Sequence, residues 1–84
     1  MNYTPLILRG AQRELGALDP IAFERVCAAI RALRDVPRPI GCRKLAGREG
    51  WRIRVGAYRV LYEIDDAARA VTIYHVGHRR DVYR

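Results

Sequence analysis

The sequence predicts an α+β fold of order β-α-α-β-β-β, with a helix hairpin packed on one face of an antiparallel sheet. Two observations carry this. Apolar residues recur at helical spacing through the first half, then alternate with period 2 from Trp51 onward. The last three apolar runs are joined by connections short enough only for antiparallel neighbours. With 84 residues, the chain has room for one small core, so residues 1–84 are expected to form a single domain.

The elements follow in order. Tyr3 to Leu8 reads as a short strand, and Pro5 places it at an edge because proline cannot donate to a ladder. Arg9 to Leu18 carries Leu8, Ala11, Leu15 and Leu18 at helical spacing. Asp19-Pro20 starts a second helix: aspartate caps and proline suits the first helical position. Its stripe is Ala22, Val26, Ala29, Ile30 and Leu33, and Val36-Pro37-Arg38-Pro39 stops it at about Asp35. Residues 43–50 read as a basic loop. Trp51, Ile53 and Val55 then alternate with Arg52 and Arg54, and Tyr58, Val60, Tyr62 and Ile64 alternate with Arg59, Leu61 and Glu63. Val71 to Val76 is a third strand, apolar on both faces, ended by Gly77 and followed by a polar tail. Its register is not fixed by the pattern, which leaves the direction of His75 open.

Composition narrows the function. Half of the residues are apolar and 30% are charged, an ordinary globular balance. Sixteen basic residues face nine acidic ones, for a net charge of +7. All the basic residues but Lys44 are arginine. Residues 43–84 carry +5 of that excess, which points to a polyanionic partner such as RNA, DNA, an acidic protein segment or a membrane surface. Arginine suits planar, bidentate contact with phosphate, although a GC-rich genome also raises the Arg/Lys ratio. Two cysteines and two histidines without C-x-x-C spacing argue against a zinc site, and no metal or cofactor is expected. No signal segment or membrane-length apolar run is visible, so the expected location is the cytoplasm, with Cys27 and Cys42 reduced.

Alternation then makes one strong statement about a site. If Trp51, Ile53 and Val55 face the helices, Arg52 and Arg54 face away, and Arg59 faces away for the same reason. The tail would bring His78, Arg79, Arg80 and Tyr83 to the rim of that face. Arg43, Lys44 and Arg48 of the basic loop extend the positive surface. RNA cleavage by attack of the 2′-hydroxyl on the adjacent phosphate needs a base, an acid and cations for the developing charge. The same surface would also serve for phosphate binding without chemistry. The competing readings are a solvated strand face for Arg52 and Arg54, tail packing for Tyr83 and a turn for His78.

Arg43-Lys44-Leu45-Ala46-Gly47, Trp51 to Asp66 and Val76-Gly77-His78-Arg79-Arg80-Asp81-Val82-Tyr83 closely resemble the RelE/ParE superfamily of toxins from bacterial type II toxin–antitoxin modules. The resemblance implies a microbial-ribonuclease-like RelE fold. For the RelE branch it implies a ribosome-dependent mRNA endoribonuclease that inhibits translation. For the ParE branch it implies inhibition of DNA gyrase without RNA cleavage. Matched position by position, the RelE-type catalytic residues fall on Arg52, Arg54, Arg59, Arg79 and Tyr83. Arg52 and Arg54 stand where the best-known RelE carries lysine. Arginine stays protonated, which moves the general-base role toward His78. Arg43, Lys44, Arg48 and Arg80 are then RNA-binding. The implied partners are a cognate antitoxin, the ribosome and mRNA, and operator DNA through the antitoxin, with no membrane.

Overall fold

The structure, a computed structural model, describes residues 2–79. Its elements are β1 (Thr4–Ile7), α1 (Arg9–Gly16), α2 (Pro20–Ala32), β2 (Arg43–Lys44), β3 (Trp51–Val55), β4 (Tyr58–Asp65) and β5 (Ala70–His78). The strands form one five-stranded sheet in the order β1-β5-β4-β3-β2.

The local signals work as the sequence chemistry requires. Asp19 caps α2 by accepting a hydrogen bond from the Ala22 N–H at 2.9 Å, and Pro20 opens the helix. A cap of this kind stabilises a helix by about 1 kcal/mol. Ala11 and Leu15 of α1, and Ala22, Val26 and Ile30 of α2, are the buried helical positions, with Leu33 just beyond. All of these but Ala22 form one cluster with Ile53, Val60, Tyr62, Val71, Ile73 and Val76 of the sheet. Each large apolar side chain so buried contributes roughly 1.5–3 kcal/mol. The β3–β4 hairpin turns through Gly56-Ala57, where Gly56 takes φ 61°, a left-handed conformation that glycine enters without penalty.

Three features correct the sequence reading. The sheet is antiparallel from β2 to β5, but β1 runs parallel to β5, so the sheet is mixed. Strands distant in sequence pair here, which short connections could not reveal. Arg43 and Lys44, read as loop, pair with Arg52 and Trp51 as a two-residue edge strand, too short to show alternation. Gly77 does not end the last strand: it pairs with Arg59, and His78 pairs with Tyr58. The ladder with β4 outweighs glycine's entropic cost.

The direction of His75 is settled by a β-bulge. Leu61 pairs with His75 while Tyr62 pairs with Ile73, so Tyr74 is the extra residue of β5. Beyond Ile73, β1 has ended and β5 meets α1 instead. Glu14 there accepts the Val76 N–H at 2.9 Å through Oε1, and its Oε2 lies 2.7 Å from His75 Nδ1. One helical carboxylate thus covers a strand edge that would otherwise be open to pairing.

Candidate nucleic-acid interface

The face of the sheet turned away from the helices carries the basic residues, for a reason that begins with the pleat. Ile53 and Val60 face the core, so their neighbours Arg52, Arg54, Arg59 and Leu61 face away. The register pairs Arg43 with Arg52 and Arg54 with Arg59. Residues directly opposite one another share a face with Cβ atoms about 5 Å apart. Like charges so placed destabilise a sheet by roughly 0.2–1 kcal/mol per pair. Among the described residues, no acid forms an ion pair with Arg43, Arg52, Arg54, Arg59 or Arg79. Arg43, Arg54 and Arg79 are exposed, and Arg52 and Arg59 are half-buried. Two adjacent arginine pairs without counter-charge suit an anionic ligand better than they suit folding.

Arg79 follows β5, and its backbone N–H donates to the Ala57 carbonyl at 2.9 Å. Continued alternation sets Arg79 on the side of Gly77, which pairs with Arg59. His78 is not brought to that row. Its ring meets Tyr58 edge-on, with centroids 5.7 Å apart and planes at 82°. Tyr58 packs against the helix-covered core, so the two rings lie on the opposite face. Arg80 and Tyr83 lie outside the described residues.

The basic residues of 43–50 divide by role. Lys44 Nζ sits 5.4 Å from the Trp51 ring centroid, and the Arg38 guanidinium sits 5.2 Å from it. Lys44 is therefore engaged with an aromatic ring of the fold, a contact worth about 0.5–1 kcal/mol at an exposed site. Arg43 and Arg54 line the mouth of a groove of about 430 Å³ between α2 and β3, with Ala29, Ala32 and Ile40 among its walls. Arg48 lies with its guanidinium carbon 5.5 Å from the centroid of Tyr74.

Tyr74 is the residue that sequence reasoning missed. Val71 to Val76 reads as apolar on both faces, and nothing in that run marks a bulge. The bulge sets Tyr74 beside Leu45 and Leu61, in a small second cluster separate from the main core. Gly50, at φ 122°, completes the fit: a Cβ there would approach the Tyr74 hydroxyl to 2.9 Å. Leu61 lies opposite Arg52, so this cluster adjoins the arginine row.

Titration is perturbed at the other end of the sheet. Asp66 accepts from Arg38 at 3.0 and 3.3 Å and from the Tyr3 hydroxyl at 2.6 Å. Those hydrogen bonds, Arg38 first, hold its carboxyl below the ordinary aspartate value, and Asp66 in turn raises Tyr3. Burial raises the Tyr62 phenol, whose O–H donates to the Pro37 carbonyl at 2.8 Å. Both are fastenings of the fold. Among the described residues no group of His, Cys, Asp and Glu could hold a metal, and no helix is long and apolar enough to cross a membrane.

Comparison with known proteins gives this arrangement its context. The family model described as the ParE toxin of the type II toxin–antitoxin system parDE matches residues 7–83. Toxin RelG of Mycobacterium tuberculosis is 38% identical over 93 aligned residues, spanning 100% of this chain and 99% of RelG. Among solved structures, a chain of the RelBE2 toxin–antitoxin complex of the same organism superposes with a TM-score of 0.83 at 32% identity, over 94% of this chain and 100% of that one. A double arginine-to-alanine variant of Escherichia coli RelE superposes with a TM-score of 0.82 over 99% of this chain and 90% of that one, and at 22% identity it shows the fold alone. With the family model spanning almost the whole chain and a full-length relative at this identity, the protein belongs to the RelE/ParE superfamily of type II toxins.

Proposed function

We propose that this toxin is a ribosome-dependent endoribonuclease that cleaves mRNA and so inhibits translation. The observation that carries the reading is the row of arginines on the uncovered face, with Arg54 directly opposite Arg59 and no acid paired to either among the described residues. In the reaction the 2′-oxygen bonds to the adjacent phosphorus, its proton leaves, the P–O5′ bond breaks and O5′ takes up a proton. The phosphorane carries added negative charge, and preorganised guanidinium groups lower its energy. Arg52, Arg54, Arg59 and Arg79 supply that charge. Arginine does not deprotonate, so none of them is the base. Proton transfer is assigned to Tyr83, on the strength of the family resemblance: its hydroxyl oxygen accepts the 2′-proton as its own hydroxyl proton passes to O5′.

A cognate antitoxin belongs to this reading, because the RelBE2 neighbour is itself a toxin–antitoxin complex. Its chemistry should be acidic, to neutralise a chain of net charge +7.

A second reading has its own support. The matching family model is that of ParE, and His78 is turned to the helix-covered face. A gyrase inhibitor needs cations but no proton carrier. Tyr83→Phe separates the two: it keeps charge and ring and removes one hydroxyl. A ribonuclease should lose about 10²–10⁴ in cleavage rate while still binding ribosomes. Unchanged toxicity with intact mRNA and gyrase-linked DNA breaks would establish the second reading instead.

A further inference from the structure

We infer that Arg48, backed by Tyr74, is a stacking site for one unpaired nucleobase of the RNA, beside the phosphate-binding arginines. The inference rests on the RNA-binding reading of the open face and extends it from backbone to base.

The site is built from below. Tyr74 is the bulge residue of β5, and its half-buried ring packs with Leu45 and Leu61 on the open face. Its hydroxyl lies so close over Gly50, at the end of the loop that carries Arg48, that a Cβ there would meet it at 2.9 Å. Arg48 is exposed, with its guanidinium over the ring at 5.5 Å. The guanidinium thus has an aromatic ring on one side of it, and the residue is otherwise exposed to solvent. Unstacked RNA bases are commonly received on arginine planes of this kind. Leu61, in the floor, lies directly opposite Arg52. Tyr74 on β5 and Arg52 on β3 lie on either side of β4, two strand spacings or about 10 Å apart, so the two positions can take neighbouring nucleotides of one RNA strand. A guanidinium resting on a ring is also less free to move, which lowers the entropic cost of ordering it on binding.

The chemistry separates this role from simple charge. Lysine at 48 keeps the charge but is a point cation with no stacking plane. The experiment uses the purified full chain, a short single-stranded RNA containing 2-aminopurine, and a ribose-phosphate oligomer of equal length without bases. The wild type should bind the base-bearing oligomer about tenfold more tightly than the abasic one, the scale of one stacked base, and should quench 2-aminopurine fluorescence. Arg48→Lys should abolish the preference and the quenching, with melting temperature and salt dependence unchanged. Equal binding of the two oligomers by the wild type, or a preference retained in Arg48→Lys, overturns the stacking site while leaving the phosphate face intact. Binding of neither oligomer overturns the stacking site, and mRNA cleavage on ribosomes by the same preparation decides separately whether the RNA reading stands.

Discussion

The two faces of the sheet obey opposite rules. On the covered face, Ile53, Val60, Tyr62 and Val71 oppose apolar neighbours and lie against the helices. On the open face, Arg54 opposes Arg59 and Arg43 opposes Arg52, pairings that cost folding energy. A strand places its odd and even residues under separate selection. Here one set holds the molecule together, and the other is the set proposed to meet the RNA. The comparison teaches that substitutions on the two faces should fail differently: those on the first lose the fold, and those on the second lose activity from a folded protein.

The largest effect should come from the covered face. Tyr62→Ala removes a fully buried ring and its hydrogen bond to Pro37, and should cost about 3–5 kcal/mol in unfolding free energy by denaturant titration. For a small domain of marginal stability that is most of what is available. A melting curve close to that of the wild type would contradict the assignment of Tyr62 to the core.

The open face should give the inverse result. Arg59→Ala should leave the melting temperature unchanged or slightly higher, because it relieves the repulsion from Arg54. It should lower cleavage by about 10²–10³, the usual effect of removing one preorganised donor to a developing oxyanion. A cleavage loss matched by a stability loss would blur the distinction between the faces.

Binding offers a sharper version. If Arg52, Arg54, Arg59 and Arg79 each contact a phosphate, log K for single-stranded RNA should fall with log salt at a slope of about −3, from about −0.7 per contact. Truncating any one of them should make the slope shallower by about 0.7. A flat response in the wild type would remove the phosphate-binding reading.

These contrasts also show what was legible in the sequence. The covered face was readable because burial writes a period into the chain, and Trp51-Arg52-Ile53-Arg54-Val55 states both faces at once. The capped start at Asp19-Pro20 was readable because capping is local chemistry. The parallel β1–β5 pair was not, since it joins chain segments more than sixty residues apart. Nor was the bulge at Tyr74, which shifts register inside a run where Thr72 and His75 are too few to fix a period on either side of it. That one residue explains two things the pattern left open. It hid the His75–Glu14 pair, and it left the basic loop without the tyrosine on which Arg48 rests. A strand that stops at Gly77 would leave His78 beside the arginines; pairing of Gly77 with Arg59 and of His78 with Tyr58 carries the strand through both and turns the ring to the other side.

The smallest effect belongs to an exposed tie. Asp66→Asn should weaken the links to Arg38 and Tyr3 and lower the melting temperature only slightly, since exposed ion pairs contribute little. The sign of its pH dependence is fixed. A carboxyl with a depressed folded value contributes its stability above the ordinary aspartate value of ~3.9, and loses it as pH falls through the lower folded value. The variant and wild-type melting temperatures should therefore converge in acid, and a gap that widens there would show the tie to be misassigned.

The central claim is that the uncovered arginine face performs the toxin's chemistry on mRNA. Primer extension on mRNA translated by purified ribosomes tests it directly, with the wild type beside the folded Arg54→Ala/Arg59→Ala double variant. The account predicts discrete cleavage sites with the wild type, and none with the variant at an unchanged melting temperature. Intact mRNA with a wild-type protein that still arrests growth would contradict it.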